Sequence, residues 1–131
     1  MEKTIKVVGA IIENEEGQIL CTLRPTEKIL GNYWEFPGGK VEEGETAYEA
    51  IKREIKEELE AEIEPYEIVG NVFHKYERGV INLIGIRCKL ISKHFKLLEH
   101  DSHIWLNRKN LNSLVWAPAD IELINKLKKE D

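Results

Sequence analysis

Apolar and polar positions along the chain alternate with two different periods, and the switches between them predict the elements. Runs with period two, rich in Val and Ile, predict strands over Thr4 to Ile12, Gln18 to Arg24, Glu62 to Tyr76, Val80 to Leu90 and His103 to Leu106. Asn14-Glu15-Glu16-Gly17 predicts a hairpin turn between the first two, and Glu77-Arg78-Gly79 joins the long later pair. A loop is expected from Pro25 to Tyr33. After it comes a short strand at Trp34-Glu35-Phe36, stopped by Pro37-Gly38-Gly39-Lys40. Helical spacing predicts one helix over Thr46 to Leu59, with a Thr46/Glu49 capping box, and a second from Pro118 to Lys129. The second has Ile121, Ile124 and Leu127 on one face, and Asp120 opens it. Strands outnumber helices, which leaves two helices to cover a mixed β-sheet. The expected fold class is α/β, an α/β/α sandwich, as a single domain over 1–131.

The first helix carries acids where its apolar stripe should continue. With Ala47 as zero on the helical wheel, Ala50, Ile51 and Ile55 lie at about 300°, 40° and 80° and define an inward face. Glu54 and Glu58 fall at about 340° and 20°, on that same face, and Glu57 flanks them at about 280°. Glu49, Lys52, Lys56 and Glu60 form the outward face, with Glu49–Arg53 and Lys56–Glu60 as i,i+4 pairs. A solvated acidic face accounts for Glu49 and Glu60 but not for Glu54 and Glu58. Half-buried carboxylates within one turn cost several kcal/mol unless compensated. A divalent cation compensates them, and hard oxygen donors suit Mg2+, with Mn2+ as a substitute.

Charge and composition narrow the partners. Of 131 residues, 42% are hydrophobic and 33% charged, a folded rather than disordered composition. Net charge is −5, and the only basic run is Lys126-Leu127-Lys128-Lys129, read as a helix C-terminus. Long nucleic acid is therefore not an expected partner. An acidic chain can still bind a phosphorylated small molecule, which then needs divalent cations between the chain's carboxylates and the phosphates. No run approaches the roughly 18 apolar residues of a membrane span, and the start of the chain lacks the apolar stretch of a signal peptide. Cys21 and Cys88, the only cysteines, sit in apolar runs and are expected as buried thiols in a cytoplasmic protein. Spacing gives His74, His94, His100 and His103 no metal-binding role.

Gly39, five residues, Glu45, seven residues, then Arg53-Glu54-Ile55-Lys56-Glu57-Glu58 resembles the Nudix box. Trp34-Glu35-Phe36-Pro37-Gly38-Gly39-Lys40 before it, and Trp116-Ala117-Pro118-Ala119-Asp120 near the end, look like the MutT-type branch. One position departs: Glu60 stands where the family usually has the glycine that ends the helix. Glu can adopt the left-handed conformation at a cost of roughly 1 kcal/mol; otherwise the helix runs on by a turn.

The resemblance implies a fold, an activity and roles. The fold is the Nudix-type sandwich. The activity is Mg2+-dependent hydrolysis of a nucleoside triphosphate such as 8-oxo-dGTP to a nucleoside monophosphate and pyrophosphate. A (d)CTP or modified-cytosine preference is the alternative, and ADP-ribose or dinucleotide hydrolysis is less favoured. A Nudix-fold binding module without turnover is the reading from another class; intact Arg53, Glu54, Glu57 and Glu58 argue against it. Glu54, Glu57 and Glu58 are implied as metal ligands, with a carbonyl of Gly38 or Gly39, and Glu99, six residues before Trp105, as a further carboxylate. Arg53 is implied to hold Glu45 and the helix in place. Around the base, either Phe36 or Trp34 stacks, and core packing is the other reading. Asp120 reads the base edge or caps the last helix. Arg24 and Arg78 reach phosphate or base oxygens, or are surface cations.

Overall fold

The computed structural model describes residues 3–28, 31–92 and 94–128. Positions 29–30 of the loop expected after Pro25, and Lys129 of the basic run, lie outside the described residues. In chain order the elements are β1 (Thr4–Glu13), β2 (Ile19–Leu23), β3 (Trp34–Glu35), β4 (Gly38–Lys40), α1 (Ala47–Leu59), β5 (Ile63–Tyr76), β6 (Gly79–Leu90), β7 (Ser102–Leu106) and α2 (Pro118–Lys128). A short 3-10 turn, Arg108–Ser113, precedes α2.

The sheet is mixed, in the order β3-β2-β1-β6-β5, with β4 added to β1 and β7 to β2. β1 and β6 run parallel from Thr4↔Val80 to Glu13↔Lys89, and the other pairs are antiparallel. Asn14 builds the hairpin turn after β1: its side-chain oxygen accepts from the N–H groups of Glu16 and Gln18.

Strand alternation divides the core in two. Val8, Ala10 and Ile12 of β1, with Ile84, Ile86 and Cys88 of β6, pack against Ala50, Ile51, Ile55 and Leu59 of α1. Ile11 and Leu83 point the other way and meet Trp116, Leu123, Ile124 and Leu127 on the α2 side. One helix on each face gives the α/β/α sandwich expected. The buried face of α2 is rotated from expectation. Leu123 joins Ile124 and Leu127 inside, while Ile121 is 46% exposed, because α2 also turns Asp120 inward. Cys21 and Cys88 are buried thiols, pushed up to about 12 by that burial, as expected.

α1 begins with the capping box as read: Thr46 Oγ1 accepts from Glu49 N–H, and Glu49 Oε1 accepts from Thr46 N–H. Glu49 is thus engaged at the cap, and Arg53 pairs elsewhere, so the expected Glu49–Arg53 pair does not form. The helix ends at Leu59, with Glu60 left-handed at φ 50°, ψ 38°. It does not run on. The Glu60 carboxylate lies 3.9 Å from Lys96 rather than on Lys56.

Candidate active site

The acidic helix is tied to the glycine strand by Arg53. Its Nε donates to Glu45 at 2.7 Å and its Nη2 to Glu45 at 3.0 Å, a bidentate pair. Nη2 also donates to the Lys40 carbonyl at 3.0 Å, and Nη1 lies 3.2 Å from both Glu54 and Glu57. The paired guanidinium holds Glu45 down to about 2, helped by the Glu42 N–H. Arg53 itself is raised further by Glu45. The resemblance implied that Arg53 holds Glu45 and the helix in place; here it also reaches the β4 backbone at Lys40.

The two glycines of β4 do different work. A Cβ on Gly38 would strike the Val8 backbone, so this glycine lets β4 lie against β1. A Cβ on Gly39 would collide with the Glu54 carboxylate instead. The missing side chain therefore brings the β4 backbone against the acid.

Glu58 is 5% exposed, on the stripe that the helical wheel assigns to it. Its carboxyl is pushed up to about 9, first by burial, then by the charges of Glu54, Glu99 and Glu35. Glu99 reaches this neighbourhood because its loop docks on the end of α1. Lys96 N–H donates to the Leu59 carbonyl at 2.8 Å and Leu98 N–H to the Glu58 carbonyl at 2.9 Å. These are carbonyls that the helix end leaves without internal donors.

A cavity of about 860 Å³ opens beside the acids, lined in part by Arg24, Glu35, Gly39, Tyr76, Arg78 and Asp120. That volume suits a nucleotide-sized ligand. Arg24 Nη1 donates to Glu35 at 3.0 Å, and Arg78 is exposed at the rim. Phe36 does not reach the cavity: its ring is buried, 4.9 Å from that of Trp116. Trp34 is half-buried beside the same cluster. The Phe36 N–H is used instead, donating to Asp120 Oδ2 at 3.0 Å. Asp120 is the third residue of α2, and its carboxylate spans from the helix to the strand end. Burial pushes it up to about 7, against the lowering effect of the Phe36 N–H.

Residues 7–126 match the NUDIX domain family. The chain belongs to the Nudix hydrolase family. It is 34% identical to the CTP pyrophosphohydrolase of Escherichia coli over 122 residues, 93% of this chain and 90% of that protein. It is also 34% identical to the 8-oxo-dGTP diphosphatase of Haemophilus influenzae, covering 98% and 95%. Among solved structures it resembles the MutT protein of Staphylococcus aureus, at 42% identity and TM-score 0.80 with both chains covered in full.

Nudix hydrolases are generally divalent-metal enzymes, and the donor set here fits one. Three other carboxylates, Glu54, Glu99 and Glu35, add to burial in raising Glu58; a hard cation answers the same charge. Among the described residues no three His, Cys, Asp or Glu side chains yet close around one point. Glu54 and Glu57 turn to Arg53 instead.

Two residues of the site escape the sequence reading. Glu35 alternates with Trp34 and Phe36, so it faces the cavity while Phe36 turns inward. His100, next to Glu99, is buried between Glu35 and Glu58. Adjacency to Glu99 is the only signal that the sequence offers for it.

Proposed function

We propose that this Nudix hydrolase is a nucleoside triphosphate pyrophosphohydrolase of the nucleotide pool. It would cleave modified nucleotides such as 8-oxo-dGTP to a nucleoside monophosphate and pyrophosphate. The observation that carries the reading is the display of Glu54, Glu57 and Glu58 by one helix, with buried Glu58 raised by Glu54, Glu99 and Glu35, beside a nucleotide-sized cavity. The names of the similar proteins, an 8-oxo-dGTP diphosphatase and a CTP pyrophosphohydrolase, support the same chemistry.

Glu54, Glu57, Glu58 and Glu99 would hold the metal, with a carbonyl of Gly38 or Gly39, and Mg2+ is the expected ion, replaceable by Mn2+. When bound, it shields the phosphate oxygens, polarises phosphorus and lowers the pKa of the attacking water. One of Glu54, Glu57 or Glu99 accepts the proton of that water. The water oxygen bonds to phosphorus as the bond to the pyrophosphate oxygen breaks. Arg53 keeps Glu45, β4 and the helix acids in register, which is the positioning that phosphoryl chemistry demands. Arg24 and Arg78 meet phosphate or base oxygens.

Asp120 offers its carboxylate to the base edge. Ionised, it accepts only, and it selects N–H donors: guanine or oxidised guanine through N1–H and N2–H, or cytosine through N4–H. The cytosine edge keeps (d)CTP or a modified cytosine nucleotide as the second reading. No helix among the described residues is long and apolar enough to cross a membrane, and buried reduced thiols suit a cytoplasmic pool.

The test is pyrophosphate release from a panel of 8-oxo-dGTP, dGTP, CTP, dCTP and ADP-ribose, with Mg2+, with Mn2+ and with EDTA. Release from a triphosphate, abolished by EDTA, is expected. No release from any of them assigns the chain to the binding modules of the family.

A further inference from the structure

Spacing alone gives the histidines of this chain no task, yet His100 is 3% exposed at its side chain, inside the acidic cluster. Its Nε2 lies 2.9 Å from Glu35 Oε2 and 3.8 Å from Glu58 Oε1. With its ring hydrogen on Nε2, His100 donates to the Glu35 side chain, whose oxygen accepts. Nδ1 is buried and has no hydrogen-bond partner among the described residues. A ring kept only for packing would be better served by an apolar side chain of similar size, since it would bury no unsatisfied nitrogen. The use of the imidazole lies at Nε2.

Glu35 is held on both oxygens: Oε1 accepts from Arg24 at 3.0 Å and Oε2 from His100. Hydrogen bonds therefore link Arg24, Glu35 and His100, and the same Nε2 stands 3.8 Å from Glu58 Oε1 on the acidic helix, in proximity but not hydrogen-bonded. The loop that carries His100 is fixed in the same place, because Leu98 N–H donates to the carbonyl of Glu58 itself. The backbone and side chain of Glu58 are thus both met by this one loop.

We propose that His100 is a positioning residue. Its Nε2–H holds Glu35, and the ring so fixed, 3.8 Å from Glu58 Oε1, bounds and polarises the place where the Glu58 carboxylate rests, so that Glu58 is aimed toward the metal before the ion binds. Groups one step removed from a metal ligand, which orient it, commonly change affinity or activity by about 10–100-fold when removed. The inference rests on the reading of Glu58 as a ligand given above.

The experiment compares wild type with His100→Gln, His100→Asn and His100→Leu. It reads Mn2+ affinity without nucleotide, from the paramagnetic resonance of the free ion, together with kcat, KM and melting temperature. A glutamine amide nitrogen reaches the place of Nε2, whereas that of asparagine stops near Nδ1. His100→Gln is expected close to wild type. His100→Asn is expected to weaken Mn2+ binding by about 10–100-fold and to lower kcat with little change in KM. His100→Leu is expected to match or exceed the asparagine loss; should it fail to fold, the Gln/Asn pair decides. Equal behaviour of Gln and Asn, or unchanged Mn2+ affinity in all folded variants, overturns the role. A wild type that binds Mn2+ and releases pyrophosphate without a Gln/Asn split overturns this inference alone. A wild type that does neither overturns the proposed function, and this inference with it.

Discussion

Arg53 and Glu45, eight residues apart, meet through two hydrogen bonds of 2.7 and 3.0 Å. The pair joins the segment before α1 to the middle of the helix. Lysine keeps the charge but has no planar fork to match the carboxylate. Arg53→Lys is expected to reduce kcat by about 10–100-fold while circular dichroism and the melting temperature stay near wild type. Activity within a few-fold of wild type would show that Glu45 needs no bidentate partner.

Glu57 is exposed and its carboxylate pairs with Arg53, so its removal costs the fold little. If it binds metal, Glu57→Gln lowers kcat by roughly two orders of magnitude or more in steady-state assays. Glu49→Gln, on the outward face of the same helix, serves as the control and should leave turnover unchanged. Equal rates for the two variants would remove Glu57 from the metal site.

Gly38 and Gly39 separate fold from chemistry. A methyl group on Gly38 meets immovable β1 backbone, whereas one on Gly39 meets the end of a flexible Glu54 side chain. Gly38→Ala should therefore lower the melting temperature most. Gly39→Ala should lose activity and metal affinity with a smaller thermal shift. Paired thermal melts and assays check the split, and the reverse pattern would contradict it.

Asp120 gives a pH dependence of a definite sign. Its folded value, about 7, lies above its ordinary 3.8, so between these the folded state holds a proton that the unfolded chain has released. That stability is fully present below about pH 4 and lost as pH rises through about 7. Metal-free Glu58, raised to about 9, acts in the same direction over a higher window. Melting in EDTA should therefore fall from pH 5 toward pH 9, and Asp120→Asn should flatten the part near 7. If Asp120 also reads the base, Asp120→Ala reorders the base preference in the nucleotide panel; a uniform loss across bases limits it to holding Phe36.

Glu60 occupies the left-handed position at the end of α1. Glycine adopts that conformation without the side-chain penalty, though it also loosens the unfolded chain. Glu60→Gly should stabilise the protein by about 0.5–1 kcal/mol in urea unfolding, with activity retained. The exposed Lys96 contact that it removes is worth little. Destabilisation would mean that this contact, or helix propensity, outweighs backbone strain.

The chain's own pattern was enough to determine the two helices, the main strands, the Thr46 capping box and the inward placement of Glu54 and Glu58. Each of these depends on period or on neighbours within a few residues, and local geometry carries such information. The Arg53–Glu54–Glu57–Glu58 cluster is legible for the same reason, since one helix displays it. Tertiary structure alone decided that Phe36 gives Asp120 its backbone and turns its ring to Trp116, 84 and 80 positions away in sequence. It also decided that Ile121 faces solvent and that His100 stands between Glu35 and Glu58. Those outcomes depend on which strands become neighbours and where a loop docks. They follow from packing between distant segments, which no periodicity within a segment encodes.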